Sequence, residues 1–335
     1  MFFSIVIPLY NRPDEIRELL ESLLKQTYQN FQVIVVEDGS SRDAEDIVKS
    51  FSNRLDILYL KKENQGQGFA RNYGFARAKG DFFIVFDSDI LVPEFYLERV
   101  RKGILEQNLD AFGGPDAAHE SFTDIQKAIS YSMTSPFTTG GIRGNKKHVG
   151  QFHPRSFNMG ISREVWEKTG GYKLSRRSED IEFSIRMISL GYKVGLIDDA
   201  FVYHKRRTSF AQFFKQTSAF GKGRIDISIL YPQELKLVHA LPCMFTLGVI
   251  GLIVLNIIGL YIFPNFLAIR YLMQLGNIFI CTYTIVLFIH AILSTKSIVV
   301  AFYGVIAAFT QLLAYGTGFM KNYIDRFWLK KNTSK

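Results

Sequence analysis

Two aspartates separated by one residue, Asp87 and Asp89, stand where the apolar run DFFIVFD of Asp81 to Asp87 gives way to a polar loop. Paired carboxylates at one point suit a hard divalent cation, and bound Mn²⁺ or Mg²⁺ can bridge a diphosphate and neutralise charge that builds as it leaves. The triplet Asp87-Ser88-Asp89 equally suits a strand-end turn with Asp89 capping the next helix. Asp38 closes a second apolar run and precedes Gly39-Ser40-Ser41. There a carboxylate can accept from the imide N–H of a uracil base while Gly39 lets backbone approach a ligand, and the same residues also make an ordinary turn or N-cap. Ser178-Glu179-Asp180-Ile181-Glu182 opens a helix with an apolar face of Ile181, Phe183, Ile185, Met187 and Ile188. Asp180 can take a proton from an acceptor hydroxyl, or Ser178 and the acids can simply cap the helix and oppose its dipole.

A fourth stretch, Asn64 to Asn72, puts glycines ahead of a helix that carries Arg71 in its first turns. Such a helix start can face a phosphate, with Arg71 pairing to a diphosphate or a site carboxylate, or Arg71 can be a solvated cation. His148, His153 and His204 are isolated and read as structural, although His204 ends the strand-like run Ala200 to Tyr203.

These residues need a scaffold, and the chain supplies one by alternating short β-rich runs with helical periodicity. Phe3 to Pro8, Gln32 to Glu37, Asp56 to Leu60 and Asp81 to Asp87 read as strands; Asp14 to Lys25, Asp43 to Phe51 and Phe69 to Ala78 read as helices. Near-continuous apolar strands between helices imply a mostly parallel sheet covered on both faces, a Rossmann-like nucleotide-binding half whose ligands sit at the C-terminal strand ends. The polar residues fall at those ends. No Gly-x-Gly-x-x-Gly or Gly-x-x-x-x-Gly-Lys-Ser/Thr occurs, so neither a dinucleotide oxidoreductase nor a P-loop NTPase is supported.

The 335 residues are 47% hydrophobic and carry 40 Lys+Arg against 31 Asp+Glu. That excludes a disordered chain, and with only Cys243 and Cys281, both in apolar stretches, it excludes a disulfide framework or a Cys zinc site. The opening MFFSIVIPLYNR is too short in its apolar run for a signal peptide and reads as the first strand. Apolarity is concentrated late: 240–263, 272–293 and 298–320 contain no Asp, Glu, Lys or Arg, and each is about the 20 residues that cross a bilayer. Basic residues cluster before them, from Lys205 to Lys236, and after them, from Lys321 to Lys335. Both flanks therefore ask to be cytoplasmic, whereas three full crossings would separate them. Either one segment is re-entrant or interfacial, or the rule fails at one end. Basic residues beside a membrane also account for the net charge and weaken a nucleic-acid reading.

In their order, SIVIPLYNR, VVEDGSSRD, NQGQGFARNYGFARAKGDFFIVFDSD, SFNMGISREVWEKTGGY, SEDIEFSIRM, LGYKV and AFVYHKRRT resemble the family 2 glycosyltransferases. The resemblance covers the first 205 or so residues and implies an α/β GT-A fold, followed here by an all-α transmembrane region. It implies that Pro8, Tyr10, Asp38 and Gly39 hold a nucleotide base, that Arg71 lies near the donor phosphates, and that Asp87, Ser88 and Asp89 manage ribose and metal. By the same resemblance Asp180 is the general base with Glu179 beside it, Asn158 and Met159 lie near donor sugar or acceptor, and His204 completes the metal shell. The expected cofactors are Mn²⁺ or Mg²⁺ and a nucleotide-sugar donor, UDP-linked by family likeness.

One departure matters. Processive relatives carry Gln-x-x-Arg-Trp near the membrane, whereas this chain keeps Gln216 but reads Ala219-Phe220 in place of Arg-Trp. Single addition to a lipid-linked or other membrane-associated acceptor is therefore expected over a processive polysaccharide synthase. Transfer to polyprenyl phosphate, which needs little help from a base, is a second reading. A non-catalytic nucleotide-sugar-binding subunit is a third, opposed by intact Asp38, Asp87, Asp89 and Asp180. The expected division is a catalytic domain at 1–207, an interfacial amphipathic helix and linker at 208–238, a transmembrane region at 239–321 and a basic cytoplasmic tail at 322–335. The expected location is a bacterial inner membrane with the catalytic domain cytoplasmic; the partners are membrane lipid, no nucleic acid, and a second copy of the chain in a homo-oligomer.

Overall fold

The computed structural model describes residues 1–139 and 152–330. His148, Lys331 and Lys335 lie outside the described residues. The chain divides into two compact units, the described residues of Met1–Glu120 with Gly141–Lys205, and those of Ser121–Gly140 with Arg206–Lys335.

The first unit holds the strands β1 (Phe3–Leu9), β2 (Phe31–Asp38), β3 (Ile57–Lys62), β4 (Phe82–Phe86), β5 (Ile90–Leu91), β6 (Ala111–Gly113), β7 (Asp116–Ala117), β8 (Asn158–Ser162), β9 (Val194–Leu196) and β10 (Val202–His204). Helices are numbered along the whole chain: α1 (Pro13–Leu23), α2 (Glu45–Lys49), α3 (Gln67–Phe75), α4 (Tyr96–Gln107), α5 (Asp124–Thr134), α6 (Pro136–Thr139), α7 (Arg163–Thr169), α8 (Glu179–Ser189), α9 (Phe210–Leu230), α10 (Leu241–Tyr261), α11 (Leu267–Thr295) and α12 (Ile298–Tyr323). A seven-stranded sheet runs β3-β2-β1-β4-β8-β6-β9, and a three-stranded sheet runs β5-β10-β7.

Alternation along the strands splits the interior in two, because successive side chains point to opposite faces. Ile5, Ile7, Val33, Val35 and Ile84 pack with Leu19 and Leu20 of α1 and Val100 and Ile104 of α4. Val6, Ile34, Val36 and Val85 pack on the other face with Phe75 of α3 and Phe183 and Met187 of α8. Strands β3, β2, β1 and β4 are parallel, as the apolar runs imply, so their polar ends converge on one edge.

The exception is β8. Asn158-Met159-Gly160 lies in a buried strand antiparallel to both β4 and β6. A Cβ on Gly160 would stand 2.0 Å from the ring of Phe112, so glycine is what admits that ring.

The second unit contains three helices long and apolar enough to cross a membrane, Leu241–Tyr261, Leu267–Thr295 and Ile298–Trp328. The middle one starts about a turn before the charge-free stretch because Arg270 is accommodated within the helix. Helix α9 packs lengthwise on α12 through small residues: a Cβ on Gly221 would lie 2.1 Å from the Tyr315 carbonyl, and one on Gly318 lies as close to that of Ser218. Helix α5, opened by a capping box of Thr123 and Gln126, belongs to this unit although its sequence falls inside 1–207. Its Ile129 and Met133 pack with Phe213 and Ala307.

Candidate active site

Strand β4 ends at Phe86, and the chain turns through Asp87-Ser88-Asp89 into β5, which pairs with β10 so that Ile90 faces His204. This short ladder explains why a histidine over a hundred residues away reaches the aspartates. Ligand atoms of Asp87, Asp89 and His204 lie within 4.8 Å of one another. His204 Nε2 is 3.2 Å from Asp89 Oδ1, and Arg12 donates to Asp89 Oδ2 at 2.6 Å. Burial alone would raise the Asp89 carboxyl, but His204 and Arg12 beside it hold it well below the usual carboxylate range. Two carboxylates and an imidazole this close together are a donor set that could hold Mn²⁺ or Mg²⁺. Ser88 between them is buried.

Arg71, from α3, is 1% exposed and joins the two acidic motifs. It donates to Asp87 Oδ1 at 2.8 Å and to Glu179 Oε1 at 2.9 Å, and lies 5.3 Å over the Tyr172 ring. Burial opposes its charge, yet Tyr172, Asp87 and Glu179 raise its pKa above the ordinary value. Burial, with Asp180 next in sequence, pushes the Glu179 carboxyl up to about 7 against the pull of Arg71.

Helix α8 begins in an unusual way. Ser178 has φ 59° and makes no side-chain cap bond, so the N-cap reading of Ser178 does not hold; a left-handed non-glycine residue sets the direction of Glu179 and Asp180. Asp180 Oδ1 accepts from the N–H of Ile181 at 2.8 Å, and its Oδ2 is 3.7 Å from Arg155.

A cleft of about 360 Å³ opens between the ends of β1 and β2 and the loop before α3, lined by Pro8, Tyr10, Asp38, Asn64, Gly66 and Arg176 among others. Tyr10 is half exposed, a ring available for stacking. Asp38 is buried and accepts from Lys62 Nζ at 2.8 Å and from the N–H groups of Gln65 and Gly66 at 3.0 and 2.8 Å. It therefore braces the loop that forms the cleft wall. Gly39, at φ +72°, could not carry a Cβ, which would lie 2.6 Å from the Asn64 nitrogen. Arg12, two residues beyond Tyr10, ties the cleft side of β1 to the aspartates.

Asn158 is 0% exposed, accepts from Tyr96 Oη at 2.5 Å and donates to the Ala200 and Pro115 carbonyls, so its amide joins β8 to its surroundings. Met159 is equally buried. His153 is 2.9 Å from Ser184 Oγ. The sequence reading missed Arg12, Lys62 and Arg176. Arg12 had a signal, a cation just past the first strand inside SIVIPLYNR; Lys62 and Arg176 had none, since only the fold brings them to Asp38 and to Asn64.

Residues 4–170 match the model of the family described as glycosyl transferase family 2. Over 217 residues the chain is 30% identical to an uncharacterized glycosyltransferase of Haemophilus influenzae, covering 62% of this chain and 70% of that one. The chain belongs to the family 2 glycosyltransferases. This family 2 glycosyltransferase is also 27% identical over 263 residues to glycosyltransferase AglE of Haloferax volcanii, across 74% of this chain and 81% of the relative. Against glycosyltransferase GlyA of Streptococcus pneumoniae the match covers only 16% of the relative's length. The mannosyltransferase PcManGT of Pyrobaculum calidifontis, solved with GDP-Man and Mn²⁺, superposes with a TM-score of 0.60 at 15% identity, over 97% of this chain and 87% of that one. At that identity the likeness establishes the fold, GT-A.

Proposed function

We propose that this glycosyltransferase is an inverting, metal-dependent enzyme that moves a sugar from a nucleotide sugar, UDP-linked in our reading, to a lipid-linked or membrane-associated acceptor in cell-envelope glycan assembly. The observation that carries the reading is the convergence of Asp87, Asp89 and His204 at the C-terminal end of β4, with Arg71 linking that group to the acidic start of α8. The nucleotide sugar and Mn²⁺ held by PcManGT in the same fold support it.

In this reading the base stacks on Tyr10 beside Pro8, in the cleft that Asp38 and Gly39 shape, and Ser88 lies in the turn that meets the ribose. Asp87, Asp89 and His204 would hold Mn²⁺ or Mg²⁺, which when bound stabilises the departing diphosphate. Asp180 takes the proton from the acceptor hydroxyl as its oxygen attacks opposite the leaving nucleotide, so one base suffices and no covalent intermediate forms. Arg71 keeps Asp87 and Glu179 at fixed separation. We place the catalytic domain at 1–207 on the cytoplasmic face of a bacterial inner membrane, joined through 208–238 to the membrane region 239–321 and the tail 322–335.

The test is Asp180→Asn, with transfer from a panel of nucleotide sugars into membrane lipid and nucleotide binding measured side by side. Transfer is expected to fall by about 10³-fold, within the range for loss of a general base, while UDP binds as before. Undiminished transfer would remove Asp180 from the base role and turn the reading toward a phosphate acceptor.

A further inference from the structure

Although three helices are long and apolar enough to cross a bilayer, the third, α12, makes its most extensive contact with α9 rather than with the other two. Helix α9 lies along α12 in the same direction. The Phe210 ring is 6.1 Å from that of Tyr303, Gly221 packs at Tyr315, Asn322 donates to the Lys222 carbonyl at 2.7 Å, and Arg326 donates to Asp226 at 3.0 Å. If α12 crossed, α9 would lie in hydrocarbon beside it, carrying Lys215 toward the middle of that span and Lys222, Arg224 and Asp226 toward its end, where each charge is costly to bury in lipid. Nor can α9 be a crossing in its own right. Four successive crossings alternate in direction, so the first and fourth would run antiparallel, whereas α9 and α12 run parallel.

The hairpin of α10 and α11 is arranged differently. Its helices run antiparallel along most of their length, from Phe245 with Tyr283 at 5.7 Å between rings, through Asn256 with Asn277 at 3.0 Å, to Gly259 against Met273. Helix α12 meets this hairpin at one end. Gly304 lies against Ala291, Phe309 packs on both Tyr283 and Phe245, and Gly316 sits on Pro242 and Thr246. From Gly304 to Gly316 α12 advances about 18 Å along its own axis. Over that distance its partners are Pro242 to Thr246 in the first turns of α10 and Tyr283 to Ala291 in the second half of α11. Away from that end, Ile253, Ile257, Leu272, Leu275 and Phe279 are more than half exposed. A third crossing helix would cover such a row on at least one side, whereas lipid alone suits it.

We propose that α10 and α11 are the membrane crossings and that α12 lies across their shared end, in the plane of the headgroup region, on the side from which α9 arrives. Its exposed Tyr323, Phe327 and Trp328 with Lys321 and Lys330 are the residue types that settle at a membrane–water boundary. The arrangement puts both basic flanks, Lys205 to Lys236 and Lys321 to Lys330, on one side of the bilayer and removes the parity conflict in the sequence. It stands independently of which sugar is moved.

The experiment uses the full chain in membranes, with Cys243→Ala and Cys281→Ala and one new cysteine at a time: Ser52→Cys, Asn265→Cys, Lys296→Cys or Asn332→Cys. Sealed vesicles of each orientation are treated with a membrane-impermeant maleimide. Positions 52, 296 and 332 are expected to label from one side and 265 only from the other. Labelling of 332 from the side of 265 would show that α12 crosses; labelling of 265 from the side of 296 would show that the hairpin does not. Either result overturns the proposal.

Discussion

Asp89 is held by two partners, the fixed positive charge of Arg12 and the imidazole of His204. Its buried carboxylate sits between Arg12 and His204, and replacing one partner of such a group leaves the others uncompensated, at a cost of about 3 kcal/mol. Because the folded carboxyl is held below its ordinary value of 3.8, the stability it supplies is present above that pH and is lost as pH falls through the lower folded value. Asp89→Asn is therefore expected to melt lower than the parent at pH 7 in EDTA, with the difference shrinking below about pH 4. Thermal unfolding in detergent across a pH series measures this, and a pH-independent difference would show that shape rather than charge matters at the site. Arg71 works on the same principle at greater depth, a guanidinium fork on Asp87 and Glu179, for which lysine is no substitute.

At the level of elements, the cleft wall is a seam between the start of α3 and the loop before α8. Gly68 donates its N–H to the Ser175 carbonyl at 2.8 Å, Gln67 donates to the Arg176 carbonyl at 2.6 Å, and Arg176 donates to Asn64. A Cβ on Gly68 would stand 2.2 Å from the Leu174 carbonyl oxygen, which is backbone and cannot swing aside. Gly68→Ala should therefore cost about 2 kcal/mol of stability and weaken nucleotide-sugar binding more than it slows transfer at saturation. Calorimetric binding with UDP reads this out; unchanged affinity would mean the seam is not part of the donor pocket. Gly66 and Gly68 thus serve the close packing of two loops.

The whole molecule combines a sheet-built unit, whose polar strand ends make the site, with a helical unit whose apolar surface needs hydrocarbon. The α10–α11 hairpin exposes aliphatic side chains over roughly the thickness of a bilayer core, and no aqueous setting satisfies that surface. The protein is accordingly expected to remain in the membrane pellet through alkaline carbonate and high-salt washes and to be released only by detergent. Release by carbonate alone would argue that the hairpin does not insert.

Much was decided locally. Near-continuous apolar strands can pack only inside a doubly covered sheet, so β1 to β4, their parallel order and the polar ends at Asp38 and Asp87 followed from the residues in line. Charge-free runs marked the three long helices for the same reason, since hydrophobicity needs no partner to be legible. The rest depended on which distant segments meet. Asn158 reads as a polar site residue in sequence, but strand pairing buries it and gives its amide to Tyr96 and Ala200. His204 reads as isolated until the β5–β10 ladder carries it to Asp89. Arg71 could equally have paired with a phosphate, a site carboxylate or solvent, and the arrival of α8 with Glu179 selects the carboxylate. Composition and periodicity set what each segment must bury; what a polar or charged side chain does depends on its partners across the fold, and only tertiary packing chose those.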